Sequence, residues 1–239
     1  NRLRMKLNKL KYGLLLIVAC WFSTPAMAQL GDERQVFSIG VNGGLNMSKV
    51  DFSPRIKQNS QTGMSAGVTF RYICEKYFSM ICAIQTEVNY SQRGWNEKIE
   101  DGTGNTYNRQ MNYIEVPLLA HLAFGKDSQT SGFRFFVNMG PQFSYFLNET
   151  EHMSENWDTS MRPNGVVYQY GKPTENKFEY GIVGGAGIEL STGVGHFLLE
   201  GRYYYGLSDF YKNSKKDVFG RSAHSYIGVR LAYLFDITK

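Results

Sequence analysis

The segment KFEYGIVGGAGIEL, residues 177–190, alternates between two kinds of side chain. Its even positions run from Phe178 to Leu190 and are apolar or aromatic apart from Gly184. Its odd positions, from Lys177 to Glu189, are charged or small. A period of two is typical of a β-strand with one apolar and one polar face.

The same alternation recurs in eight blocks between Phe37 and the C-terminus. The apolar faces of these blocks begin at Phe37, Met64, Ile84, Ile114, Phe133, Phe178, Phe197 and Ile227. Beyond residue 28 the chain has no apolar run long enough for a membrane-spanning helix, which excludes a helical membrane protein with several spans. An all-β fold is therefore predicted.

The connections between the blocks alternate in length. The short ones cover residues 74–80, 125–132 and 191–195, and the longer polar ones cover residues 51–62, 94–108, 147–176 and 208–223. Short turns at one end and long loops at the other are typical of an outer-membrane barrel with an even number of strands. Each block also has the length that a tilted strand needs to cross the hydrocarbon layer.

Aromatic residues form two bands on the apolar faces. Those near the short turns are Tyr72, Phe124, Phe133, Phe197 and Phe235, and those near the long loops are Tyr90, Tyr145, Phe178, Tyr180 and Tyr205. Two such bands match the two interfaces of a bilayer. The alternative, a soluble lipocalin-like barrel, would crowd these rings into a narrow interior. We predict an eight-stranded antiparallel up-and-down transmembrane β-barrel over residues 36–239, preceded by a linker at 29–35.

The N-terminal residues have the pattern of an export signal. A basic stretch after Met5 is followed by an apolar run over residues 13–22 and by Ala26-Met27-Ala28. This pattern predicts a cleaved secretory signal over residues 1–28 and a destination in the cell outer membrane. The alternatives are a membrane anchor, for which the run is too short, and a lipoprotein signal at Cys20.

The net charge of +5 belongs to this N-terminal segment. Residues 1–28 contain five basic residues and no acid, so 21 of the 26 basic residues remain against all 21 acidic ones. A neutral mature chain gives no electrostatic basis for a nucleic-acid partner. Two cysteines remain, Cys74 and Cys82, at the feet of one hairpin. They would form either a structural disulfide or two apolar thiols.

Two segments resemble a known family. The segment YIEVPLL, residues 113–119, resembles a strand of Bacteroidetes outer-membrane β-barrel proteins of the porin-like or PorT-type group, and residues 180–190 resemble their glycine-rich sixth strand. The resemblance covers residue 36 to the C-terminus and implies an eight-stranded outer-membrane barrel, in a family mostly without assigned activity. Many outer-membrane barrels end on an aromatic residue, whereas here Asp-Ile-Thr-Lys follows Phe235.

Charged residues on the polar faces would point into the barrel. Eight strands enclose a space that side chains fill, so these charges are expected to pair in a lumen network. Its members are Arg71, Glu87, Arg93, Glu115, Arg134, Glu179, Glu189, Glu200, Arg202 and Arg230. The alternatives are a proton or ion path through the same residues and a catalytic carboxylate pair.

The sequence contains no clear catalytic or metal-binding pattern. His224 and Ser225 are adjacent, so in a strand they face opposite sides and cannot form a nucleophile–base pair. His152 has glutamates nearby, but their spacing matches no compact cation-binding loop. We therefore predict a protein that is not an enzyme and needs no cofactor.

Exposed loops remain as the place for function. Five aromatic residues among polar groups are candidates for recognition of a protein or glycan: Trp95, Tyr107, Trp157, Tyr168 and Tyr170. The alternative is a rim shaped only by lipopolysaccharide and immune variation. The first interpretation is a monomeric barrel serving envelope structure or surface interaction. The alternatives are a narrow diffusion channel, a PorT-like accessory of secretion and, against the prediction above, a lipid A-modifying enzyme. The expected partners are outer-membrane lipid or lipopolysaccharide and an envelope protein.

Overall fold

The computed structural model describes residues 32–77, 80–100, 102, 104–125, 132–155, 157 and 166–238. All of them lie in the larger of two compact units, Gly31–Lys239. The predicted signal peptide lies outside the described residues. In the part of the chain that is described, no helix is long and apolar enough to cross a membrane.

Nine β-strands make up the described fold. They are β1 Asp32–Ser53, β2 Gln58–Asn59, β3 Gln61–Tyr77, β4 Met80–Glu97, β5 Tyr107–Gly125, β6 Gly132–Met153, β7 Phe178–Thr192, β8 Gly195–Gly206 and β9 Arg221–Asp236. β1 begins at Asp32, inside the segment 29–35 that the sequence predicts as a linker. The two-residue β2 pairs with β4 at the loop end and was not predicted.

Eight strands form a closed antiparallel ring. The order is β4-β3-β1-β9-β8-β7-β6-β5, and pairing of β5 with β4 closes it. Apart from the pairing of β1 with β9 that joins the two ends of the chain, each long strand pairs with the next long strand in sequence. This arrangement confirms the predicted eight-stranded up-and-down barrel. Closure removes the free sheet edges, as a strand structure in lipid requires.

The period of two decides which side chains point inward. Along β8, Glu200, Arg202 and Tyr204 are buried, whereas Tyr203 and Tyr205 are exposed. The aromatic residues of both predicted bands are exposed on the outer wall. The outside of the barrel is therefore apolar and the inside polar, the reverse of a soluble barrel.

Two apolar clusters close the ends of the polar interior. The turn-end cluster consists of Ile73, Ile81, Ala83, Ala123, Phe136, Leu198 and Leu234. The cap, at the loop end, consists of Val50, Phe52, Ile56, Trp95, Tyr107, Met111, Tyr113, Phe146, Phe210, Tyr211 and Phe219. The charged interior lies between them.

Candidate functional site: barrel interior and outer rim

All ten residues of the predicted lumen network lie inside the barrel. Each exposes 6% or less of its surface, and they are Arg71, Glu87, Arg93, Glu115, Arg134, Glu179, Glu189, Glu200, Arg202 and Arg230. They come from β3, β4, β5, β6, β7, β8 and β9. Their inward direction follows from strand parity alone, but their grouping into three layers depends on the stagger of the barrel.

The layer nearest the short turns is centred on Glu189. Its carboxylate lies 2.6 Å from Arg71 and 2.8 Å from Arg134, measured to a guanidinium nitrogen in each case. His196 Nδ1 lies 2.9 Å from the same carboxylate, and His196 Nε2 lies 3.1 Å from Asp236. Neither His196 nor Asp236 was among the predicted members of the network. The alternation along β8 and β9, which turns even-numbered side chains inward, could have identified both residues.

The middle layer is centred on Glu87. Both terminal nitrogens of Arg202 donate to its two oxygens at 2.8 Å, and Arg230 donates at 2.5 Å. Arg202 also lies 2.8 Å from Glu200. A two-pronged guanidinium–carboxylate pair is a strong, directional contact, so this layer ties β4 firmly to β8 and β9.

The layer nearest the loops surrounds Arg93. Its guanidinium lies 2.5 Å from Glu115 and sits over the rings of Tyr204, Tyr113 and Tyr226 at 4.6, 4.9 and 5.1 Å. Ring faces and a carboxylate together compensate the buried cation. None of these three tyrosines was singled out from the sequence as a partner of a lumen charge.

A second carboxylate in this layer, Glu179, contacts a phenol and an imidazole. The Tyr113 hydroxyl donates to it at 2.5 Å, and His224 Nδ1 lies 3.1 Å away. The ring of Phe210 packs on His224 with centroids 4.8 Å apart. His224 is thus enclosed beneath the cap and has no route to a substrate at the rim.

The turn-end layer is tightly packed. A gap beside Arg71, His121 and Glu189 has no room for a water molecule. Buried charges in direct contact, with apolar clusters above and below, fill the interior as a packed core does. The arrangement can hold the strands together.

Arg109 fastens the cap to the barrel. Its guanidinium lies 2.7 Å from both Glu149 and Glu151 on β6. It also donates to the main-chain carbonyls of Gln169 and Lys172, at 3.2 and 2.6 Å. This buried side chain therefore helps to hold residues 169–172 over the barrel mouth.

Tyr211 completes this attachment from the loop between β8 and β9. Its hydroxyl lies 3.0 Å from the Arg109 nitrogen, and its ring is fully buried in the cap. Burial raises the pKa of the Tyr211 phenol, so the group stays neutral and cannot offset the cation by ionising.

The aromatic recognition candidates do not all lie at the exposed rim. Trp95 and Tyr107 are fully buried in the cap, and Trp157 and Tyr170 pack against it. Tyr168, by contrast, is 61% exposed. Trp95 and Tyr107 are buried because β4 and β5 continue beyond the predicted loop boundaries, so that both side chains keep the inward parity of their strands.

Cys74 and Cys82 are free thiols in the structure. The β3–β4 register passes from Ile73↔Ala83 to Glu75↔Cys82, so Cys74 lies in a bulge. Both thiols are partly buried near the short-turn end. Pairing between them on export stays a prediction.

Two clefts open at the loop end. The basic cleft, of about 320 Å³, is lined by Lys49, Val50, Asp51, Phe52, Arg55, Ile56, Lys57, Gln58 and Ser225. The mixed cleft, of about 660 Å³, is lined by Tyr145, Glu175, Asn176, Lys177, Phe178, Tyr180, Leu207, Ser208, Asp209 and Asn213. In the mixed cleft, a hydrogen bond from the Lys212 amide and the ammonium of Lys172 lower the pKa of Glu175.

Within the described residues, no group of three or more His, Cys, Asp or Glu side chains is placed to hold a metal ion.

A family model described as outer membrane protein beta-barrel domain matches residues 27–212. The chain belongs to the outer membrane protein beta-barrel domain family. Membership in this family places the protein in the outer membrane. The matched range covers β1 to β8 and the cap residues up to Tyr211. No protein of curated function matches the sequence.

Solved structures of small outer-membrane proteins are similar at low sequence identity. OprG from Pseudomonas aeruginosa has a TM-score of 0.48 and 12% identity over 86% of this chain and 98% of its own. Ail of Yersinia pestis has a TM-score of 0.35 and 10% identity over 84% of this chain and 100% of its own. The Neisserial surface protein NspA has a TM-score of 0.35 and 10% identity over 83% of this chain and 97% of its own.

Proposed function

We propose that this outer-membrane barrel is a monomeric, non-enzymatic protein that acts through its outer surface, in envelope structure or in contact with an envelope protein or lipid. The observation that carries the proposal is the filled interior. Three layers of paired charges lie between two apolar clusters, and the charges contact one another directly. A barrel with no open lumen can offer partners only its wall and its rims.

Three of the four histidines lie inside the barrel and offer no usable nucleophile–base pair, which supports a non-enzymatic role. His224 contacts Glu179 through Nδ1, and the ring of Phe210 covers it. His121 and His196 lie in the turn-end layer, where they contact Asn138 and Glu189. Each of these imidazoles stabilises a neighbouring strand and faces no open cleft.

A narrow diffusion channel and a PorT-like secretion accessory are the competing roles. The channel needs a continuous wet path, and the paired charges around Arg93 and Glu87 argue against one. The secretion role needs a docking surface for other envelope proteins. Exposed Tyr168 at the loop end is the aromatic residue best placed for such contact.

Single-channel conductance separates the filled barrel from a channel. The protein is refolded into planar bilayers after heat-modifiable gel migration has shown that it is folded, and a porin of known conductance serves as the control. We expect silence from the folded protein while the porin conducts. Steady, reproducible conductance steps would replace the proposed role with that of a diffusion channel.

A further inference from the structure

The basic cleft lies where the apolar outer wall ends at the seam of β1 and β9. Met47 and Ile227 pair in register and are 59% and 61% exposed, so they belong to the lipid-facing wall. The next outward-facing pair is Lys49 and Ser225. Two residues along a tilted strand gain about 5 Å of height, and the change from exposed apolar side chains to Lys49 and Ser225 marks the end of the lipid-facing wall at this seam.

The segment after β1 is fixed in place by two contacts. Ile56 is buried in the cap, and the Gln58 side-chain amide donates to the Val50 carbonyl at 2.6 Å. Gln58 also accepts from the Val50 amide at 2.9 Å. Because Ile56 points inward, its neighbours Arg55 and Lys57 are exposed and return to the side of β1 that carries Lys49.

The charge of the cleft is not balanced within the protein. Among the described residues, Lys49 and Arg55 have no ion-pair partner. Asp51 is the acidic residue of the lining, and it lies 3.8 Å from a further cation, Arg221. Lys57 does contact Glu100 at 3.1 Å. That carboxylate, however, is shared with Lys98 at 2.5 Å.

A positive headgroup-level cleft is not a general property of this rim. The mixed cleft has Glu175 and Asp209 in its lining with Lys177, so acids outnumber the cation there. Lysines that merely extend their ammonium groups to the membrane interface are expected as single residues, with no cavity between them. At the basic cleft, by contrast, three cations line a volume of about 320 Å³.

We propose that the basic cleft binds the phosphate of a phosphorylated glycolipid headgroup in the outer leaflet, as in lipopolysaccharide. The guanidinium of Arg55 offers paired donors that match phosphate oxygens, and Lys49 and Lys57 supply point charges beside it. Basic pockets at headgroup level recognise anionic lipids in this way. The inference rests on the proposed surface role, since it names the lipid partner of the outer rim.

The test uses the full-length protein folded in zwitterionic detergent micelles. Binding of diphosphoryl lipid A and of the same lipid with both phosphates removed is compared by native mass spectrometry. We expect the phosphorylated lipid to bind about tenfold more tightly or better, as charge-assisted hydrogen bonds to phosphate would give. The double variant Lys49→Gln/Arg55→Gln should lose most of this preference.

The matched control removes two positive charges at the other side of the rim. Lys177→Gln/Lys212→Gln should keep the wild-type preference, with both variants verified as folded by heat-modifiable migration. Equal loss in the two double variants would show a diffuse charge effect and overturn the proposal. Equal binding of the two lipids, or displacement of the lipid by an equal concentration of inorganic phosphate, would also overturn it.

The failure of this inference is separate from failure of the proposed function. Conductance reports on the barrel interior, whereas lipid preference reports on residues outside it. If the folded barrel does not conduct and shows no preference for the phosphorylated lipid, only the cleft assignment is wrong. If the barrel conducts and keeps the preference, only the filled lumen is wrong.

Discussion

The Arg93 guanidinium is enclosed on every side, and Glu115 is its close counter-charge at 2.5 Å. Glu179 lies farther away, at 3.8 Å. Glu115→Gln keeps the side-chain shape but leaves the buried cation poorly compensated. We expect the free energy of unfolding to fall by about 3 kcal/mol, as when one partner of a buried ion pair is removed. Urea titration of the folded barrel in micelles, followed by tryptophan fluorescence, measures the change.

The exposed carboxylate of Glu100 provides the control for this substitution. It contacts Lys57 and Lys98 at the rim, where water screens the charges. Glu100→Gln should leave the urea midpoint unchanged. If Glu115→Gln also left the urea midpoint unchanged, the lumen network would contribute nothing to stability and the account of the interior would be wrong.

For single residues, the sequence predicts which side chains point into the barrel but not which of them pair. Strand parity is enough to point Glu87 inward. Its contacts to Arg202 and Arg230, however, join β4 to β8 and β9, far apart in the chain. Such pairs depend on the tilt and stagger of the closed barrel, which no local pattern encodes. The tyrosine rings around Arg93 were missed for the same reason.

At the scale of the element, β7 is rich in glycine because large side chains cross the interior beside it. A Cβ at Gly187 would lie 2.6 Å from the Phe136 ring and 2.2 Å from the Leu199 carbonyl oxygen. Gly187→Ala should therefore destabilise the barrel by about 1–3 kcal/mol, as overpacking does. Gly184 faces outward, and a Cβ there meets only Asn138 O at 3.9 Å.

Gly184→Ala is thus the matched control in the same strand. The temperature at which the folded band converts to the unfolded band on a gel compares the two variants with the parent protein. A drop for Gly187→Ala alone is expected. An equal drop for both would mean that β7 needs glycine for its backbone conformation and not for the space it leaves.

The strands themselves are largely predictable, whereas their ends are not. Periodicity predicts eight strands and their connections, but it places residues 94–108 in a loop, although β4 continues to Glu97 and β5 starts at Tyr107. Above the membrane the outward positions become polar, as at Asn96 and Asn108. The contrast between faces that marks a strand is then lost, although pairing continues.

At the scale of the whole molecule, the cap and the charged layers close one passage in series. A passage blocked at several levels stays closed when one level opens. Arg109→Met removes the contacts to the carbonyls of Gln169 and Lys172 and loosens the cap at that point. We expect faster amide hydrogen exchange in residues 166–172, whereas residues 174–176 keep their bonds to Glu149 and to the Phe210 carbonyl.

Conductance of the same variant tests the serial arrangement. The barrel with a loosened cap should remain silent, because the Arg93 and Glu87 layers below it are intact and do not contact the lost bonds. Arg221→Met, which removes a rim arginine that contacts Tyr205 on the outer wall, should change neither hydrogen exchange in that segment nor conductance. Conductance steps in Arg109→Met alone would mean that the cap is the sole closure and that the lumen layers let ions pass.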